Sequence, residues 1–192
     1  MENQKLNNIS GIIEVSKVSE FNLSKERLYQ YIKANDYKRV GPGMYASQDE
    51  FVDELLVLHK RCPNGVISHD EALYHHGLID RQPTEHTITV YSGYNATRLK
   101  RSGYKVYYVN KEFLGLGKRM ITDQYGNEIP MYDLDRTIVD LVRNRSRFEI
   151  QDFNMALKTY AGNPDKNLAR LSEYARLFRV NKILKGYLGV LL

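Results

Sequence analysis

One cysteine, no tryptophan and no long apolar run set the first limits on this chain of 192 residues. The lone thiol, Cys62, leaves no room for an internal disulfide framework or a cysteine-rich zinc site, and it fits a reducing cytoplasm. No stretch reaches the roughly 20 apolar residues that a membrane-spanning helix needs. The first residues are polar, so no secretory leader is expected. The tail Tyr187-Leu188-Gly189-Val190-Leu191-Leu192 is apolar but far too short to span, and is expected to pack on the core or on a partner. A phosphate-binding glycine loop is missing as well. Leu114-Gly115-Leu116-Gly117-Lys118 lacks the Walker spacing and the Ser/Thr after the lysine, so it reads as a plain turn. There is no internal repeat and no low-complexity segment.

What the chain does have is an ordinary hydrophobic share of 42%, enough for a real core, and a net charge of +5. That charge is uneven. Residues 1–45 carry seven Lys/Arg against five Asp/Glu, residues 46–100 five against eight, and residues 101–192 sixteen against ten. Two basic regions flank an acidic middle, a balance that suits nucleic acid without demanding it.

The N-terminal region is the most informative. Residues 12–21 read as a short helix, Asn22-Leu23 as a tight turn, and Ser24 as the opening of a second helix through Asn35. Asn tolerates the left-handed backbone such a turn uses. Tyr37-Lys38-Arg39-Val40 and Met44-Tyr45-Ala46 flank Gly41-Pro42-Gly43 as a β-hairpin. The order is that of a winged helix-turn-helix, which sets one helix in the major groove and a basic wing on the backbone. Val15, Val18, Phe21, Leu23, Leu28 and Ile32 form a small core on this reading. Lys25, Arg27, Tyr29, Gln30 and Lys33 avoid the Leu28/Ile32 stripe and can reach phosphates or base edges, with Lys38 and Arg39 on the wing. The competing reading is a protein-only module with the same core.

The first domain is expected to cover residues 1–46 and an α+β domain residues 47–192, with 47–62 as a linking helix. Ser47 and Glu50 have capping-box spacing, and so do Ser68 and Glu71. Val66-Ile67 reads as a strand, as do residues 85–91, 105–109, 118–122 and 128–131, the last two around a hairpin turn at 123–127. From Asp133 onward the spacing of apolar residues predicts four helices. Strands followed by helices predict α+β: a small, mainly antiparallel sheet and then a helical bundle.

Three clusters bear on chemistry. His69, His75 and His76 lack zinc-ligand spacing, so packing and capping are expected of them, and no metal or cofactor. Asp133, Asp135 and Asp140 resemble a magnesium set only in composition. Asp133 suits a helix N-cap, Asp135 a first-turn charge, and Asp140 a pair with Arg136 four residues away. No catalytic constellation is legible, and no enzyme is expected. The third cluster is basic: Arg143, Arg145 and Arg147, with Lys158, Arg170, Arg176, Arg179, Lys182 and Lys185 downstream, a surface for an anionic partner or simply a solvated face.

Several segments together resemble the AbiEi antitoxins of abortive-infection toxin–antitoxin systems. They are Gly41-Pro42-Gly43-Met44-Tyr45-Ala46, the run Gly65-Val66-Ile67-Ser68-His69-Asp70-Glu71-Ala72-Leu73-Tyr74-His75-His76-Gly77-Leu78, and Asp135-Arg136-Thr137-Ile138-Val139-Asp140-Leu141. In the last run Asp135 stands where the family more often has Glu, and Ile138-Val139 where it has leucines. The resemblance implies a cytoplasmic antitoxin for phage defence. Its head binds operator DNA with inverted repeats and represses its own promoter, as a monomer in solution that binds cooperatively on DNA. Its second domain counteracts a nucleotidyltransferase-like toxin, without requiring a stable complex. Two other functions stay open on the residues alone: a transcription factor with a ligand-sensing second domain, and a nucleic-acid enzyme with a DNA-binding head.

Overall fold

The computed structural model describes residues 12–48, 53–123 and 126–189. Glu50, Phe51 and Val52 of the expected helix start, Gln124 and Tyr125 of the expected turn, and residues 190–192 of the tail lie outside them. The fold is α+β. Residues up to Pro63 form one compact unit and those from Asn64 a second.

In the first unit, β1 (Ile12–Glu14) leads into a 3-10 helix (Val15–Phe21), then α1 (Lys25–Ala34), β2 (Lys38–Gly41) and β3 (Met44–Ala46). The sheet is antiparallel in the order β1-β3-β2, with Ile13 opposite Tyr45. Residues 12–21 are therefore not one helix. The β-branched pair Ile12-Ile13 joins the sheet, and only the rest coils. Ile13 is fully buried beside Leu28 and Ile32, so the strand supplies a third of this core. The turn is as expected: Asn22 has φ 55°, and the Ser24 hydroxyl accepts the Arg27 amide at 3.3 Å, capping α1.

The expected linker helix begins later. α2 (Glu54–Arg61) is capped by Asp53, whose carboxylate accepts the Leu55 amide at 2.8 Å; Ser47 does not cap it. It belongs to the first unit. The α-carbon face of Gly41 lies against Val57, and Lys60 bonds Glu14 of β1 at 2.9 Å. The unit boundary thus follows Pro63 rather than Ala46.

The second unit holds β4 (Val66–Ile67), α3 (His69–His75), β5 (Thr87–Tyr91), α4 (Thr97–Arg101), β6 (Lys105–Val109), β7 (Lys118–Thr122) and β8 (Glu128–Tyr132). Four helices follow: α5 (Leu134–Arg143), α6 (Ile150–Gly162), α7 (Leu168–Leu177) and α8 (Asn181–Leu188). The sheet order is β6-β5-β4-β8-β7. It is mixed, not mainly antiparallel. β4–β5 and β7–β8 run antiparallel, while β4–β8 and β5–β6 run parallel. Parallel neighbours need a crossover, and α4 supplies the one between β5 and β6.

α5 is the centre of this unit. All nine residues from Leu134 to Val142 are buried, including Asp135, Arg136 and Asp140. A helix buried on every side must satisfy its charges internally. Arg136 donates to Asp140 at 3.0 Å and to the carbonyls of Phe113 and Leu116 at 3.0 and 2.7 Å. Its guanidinium lies between the rings of Tyr132 and Phe178, 4.2 and 4.1 Å from their centroids. Asp135 accepts from the Tyr160 hydroxyl, the Asn167 amide and the Arg170 guanidinium. Asp133 caps α5 through the Arg136 amide at 2.8 Å, as expected.

The turn before β7 is more than a connector. Carbonyls of Phe113, Leu114, Leu116 and Gly117 are each taken by Arg136, Tyr132 or the Asp133 amide. Gly117 has φ +75°, and a Cβ there would sit 2.6 Å from Arg136 Cβ. Gly117→Ala therefore combines a strained backbone with a steric clash at a buried ion. Urea unfolding should record a loss of about 2–4 kcal/mol. A loss below about 0.5 kcal/mol, the range of ordinary surface changes, would contradict this packing.

Candidate nucleic-acid interface

α1 buries Leu28 and Ile32, four residues apart, half-buries Tyr31, and exposes its other residues. Lys25, Arg27, Tyr29, Gln30 and Lys33 are all exposed on it, and Tyr29 meets Tyr45 of β3 edge-on at 6.2 Å. Lys38 and Arg39 are exposed on β2, where Arg39 Nε donates to the Gly41 carbonyl at 3.2 Å. Five of the seven residues expected at a DNA interface thus share one helix, and two lie on the hairpin. Glu26 is the acid among them. Hydrogen bonds from its own backbone amide and from Ser24 hold its carboxyl below the usual range, so it serves the helix start. Among the described residues no ion pair occupies Lys25, Lys33 or Lys38, leaving their charges available for phosphates.

The C-terminal basic residues meet different partners within the second unit. Arg143 lies 5.2 Å over Phe178 and 3.8 Å from Asp140. Arg145 donates to the Val142 carbonyl at 3.4 Å, neutralising the end of α5. Arg147 lies 4.8 Å over Tyr107. Arg176, Arg179 and Lys182 are exposed, while Lys185 borders an apolar groove between α7 and α8.

His69 and His76 are held by hydrogen bonds within the second unit. His69 has φ +53°, is 2% exposed and stacks on Tyr107 with ring centroids 3.4 Å apart. The Asn144 amide also donates to the Asp140 carbonyl, so it donates to His69 Nε2 at 3.0 Å. His69 Nδ1–H then donates to the Ser68 hydroxyl at 2.9 Å. This fixes a neutral tautomer. The Ser68 hydroxyl is thereby used and does not cap α3. The Thr87 hydroxyl accepts the Glu71 amide at 3.0 Å instead, and the Glu71 carboxylate binds His86 at 2.8 Å. His76 donates to the Tyr132 carbonyl at 2.8 Å, and His75 is exposed. Among the described residues, no group of three or more His, Cys, Asp or Glu could hold a metal ion, and no helix is long and apolar enough to cross a membrane.

No family model matches the chain, and no curated protein matches it. Among solved structures it is similar to the crystal structure of the RV2827C protein from Mycobacterium tuberculosis. The TM-score is 0.66 at 14% identity, covering 97% of this chain and 75% of that one. At that identity the likeness speaks for the fold alone.

Sequence reading passed over one further basic region. Averaged with its acidic neighbours, the segment around α4 disappears into a middle with net negative charge. Yet Arg98, Lys100 and Arg101 are exposed on α4, and no Asp or Glu occurs from Thr87 to Lys111. A shorter charge window would have found it.

The His69 environment yields a pH prediction. Burial, then the charges of Arg136, Arg143, Lys105 and Arg147, hold its pKa well below the ordinary value. The folded state therefore refuses a proton that the unfolded chain accepts below about pH 6.5. The stability this group confers is complete above that pH and declines as pH falls, by at most about 1.4 kcal/mol per unit. In urea unfolding from pH 7.5 to 5, the advantage of the parent over His69→Gln should shrink on acidification. An advantage constant with pH would show that His69 titrates alike in both states.

Proposed function

We propose that this protein is a DNA-binding antitoxin of the AbiEi type that represses its own promoter through its first unit. The observation that carries the DNA-binding part is the solvent face of α1. Lys25, Arg27, Tyr29, Gln30 and Lys33 are exposed on the helix that buries Leu28 and Ile32, in the same unit as a hairpin bearing Lys38 and Arg39. The arrangement of β1, 3-10 helix, α1, β2 and β3, with β3 central in the sheet, supports a winged helix-turn-helix. The left-handed Asn22 supplies its turn, and the Gly41-Pro42-Gly43 hairpin its wing. On this reading α1 enters the major groove, and Arg27 and Gln30, whose side chains make bidentate base contacts, read sequence. The lysines set register on the phosphates.

The antitoxin part rests on the family resemblance. Its support is that the shared runs do a job worth sharing. Ser68-His69 and Asp135-Arg136-Asp140 hold the core of the second unit. That unit would counteract a nucleotidyltransferase-like toxin in the cytoplasm, with inverted repeats as the operator. The other reading is a ligand-sensing second unit. It would use the polar cleft of about 120 Å³ bordered by Asp70, Lys105, Arg147 and Phe148.

Binding to the DNA upstream of its own gene tests the first part. Arg27→Ala/Gln30→Ala should fold normally and lose about 1–3 kcal/mol per reading residue, with relaxed specificity. Normal promoter affinity in the folded double variant would remove α1 from the role. Co-expression with the neighbouring gene tests the second part. A chain beginning at Asn64 should still rescue growth while failing to repress. A folded fragment that does neither would contradict the division of labour.

A further inference from the structure

From Thr87 to Lys111 the chain carries Arg98, Lys100, Arg101, Lys105 and Lys111, five tyrosines and no acid. The fold gathers them. β5 and β6 are parallel neighbours, and α4 crosses between them with Leu99 buried as its anchor. Lys105 is tied to Asp70 at 3.1 Å. Arg98, Lys100, Arg101 and Lys111 are exposed and make no ion pair among the described residues. The next acid along the chain, Glu112, is held by the Asn110 side chain at 2.7 Å.

Aromatic rings alternate with these cations. Lys100 Nζ lies 5.2 Å over Tyr108, which is 38% exposed. Lys111 Nζ lies 5.9 Å over Tyr91, whose ring meets Tyr94 edge-on at 5.7 Å. Three neighbouring cations on a five-residue helix repel one another, and among the described residues no acid pairs with them. Cations for phosphates beside accessible π faces for bases are what single-stranded nucleic acid requires. An acidic protein has use for the charges but not for the rings. A duplex is a poorer fit, since its bases are stacked and α4 is too short to fill a groove.

We propose that the β5–α4–β6 face of the second unit binds single-stranded nucleic acid. Phosphates sit on Arg98, Lys100, Arg101 and Lys111, and an unpaired base stacks on Tyr108. The proposal uses no residue of the first unit and stands apart from the promoter-reading role.

Fluorescence anisotropy of the full chain with labelled twenty-nucleotide oligo-U and oligo-dT tests it. The parent should bind either strand with an affinity that falls steeply with salt. Arg98→Ala/Lys100→Ala/Arg101→Ala should bind at least about tenfold more weakly and flatten the logarithmic salt slope by about 2. Tyr108→Ala should weaken binding roughly fivefold or more at every salt concentration, leaving the slope unchanged, while Tyr108→Phe behaves as the parent. All these positions are at the surface, so thermal melting should match the parent. Arg27→Ala/Gln30→Ala should retain oligo-U binding, which separates this surface from α1. Three results would overturn the proposal: no binding by the parent at low salt, parent-like binding by the triple variant, or displacement of oligo-U by poly-glutamate as effective as by unlabelled oligo-U.

Discussion

The buried guanidinium of Arg136 is the constraint around which the second unit is organised. A charge with no solvent exposure is tolerable only when it is paired and hydrogen-bonded on most sides. Arg136 obtains this from Asp140 one turn along α5, from two carbonyls of the turn before β7, and from the faces of Tyr132 and Phe178. One side chain therefore fastens α5, the 113–117 turn, the end of β8 and the end of α7. Gly117 is glycine because the turn approaches that side chain too closely for a Cβ. The neighbouring acids are committed in the same way, Asp133 to the helix cap and Tyr174, Asp135 to Tyr160 and Arg170. The tyrosine hydroxyls that face these carboxylates are correspondingly hard to ionise, that of Tyr174 being pushed up to about 12 by burial and by Asp133. Acids that resemble a metal-binding set in composition are the internal fastening of a helix with no solvent face.

The first unit follows a different economy. Ile13, Leu28 and Ile32 form one buried cluster with half-buried residues around them, and Met44, Ala46, Leu56, Val57, Leu58 and Cys62 are buried in the same unit. α2 packing on β2 and the link from Glu14 to both Lys17 and Lys60 supplement it. Burial pulls the Glu14 carboxyl upward, but the two lysines outweigh it and hold it below the usual range. α1 commits Leu28 and Ile32 to the interior, and most of its other residues face outward.

Much of this was legible in local chemistry. Asn22 in a left-handed turn, Ser24 and Asp133 as caps, Arg136 paired with Asp140, and strands at Lys105–Val109 and Lys118–Thr122 all follow from rules reaching no more than a few residues. The misreadings share a cause: the deciding partner is distant in sequence. Ile12-Ile13 is a strand because Tyr45 and Ala46 lie beside it. Ser68 has capping-box spacing, but Thr89 and His69 take its hydroxyl and Thr87 caps in its place. The parallel pairing of β5 with β6 depends on α4, too short for a periodic signal. The charge of α4 was hidden for another reason, the width of the window over which charge was averaged.

The two units thus suggest a division between a scaffold that consumes its polar groups internally and a small head that spends them outward. The central claim is that the outward face of α1 reads base sequence. Selection of duplexes by the full chain from a random library, at near-physiological salt, tests it most directly. The account predicts enrichment of a defined inverted repeat, bound at least about 10³-fold more tightly than the starting pool. A selected pool bound no better than the starting pool would contradict it, whatever the overall affinity for DNA.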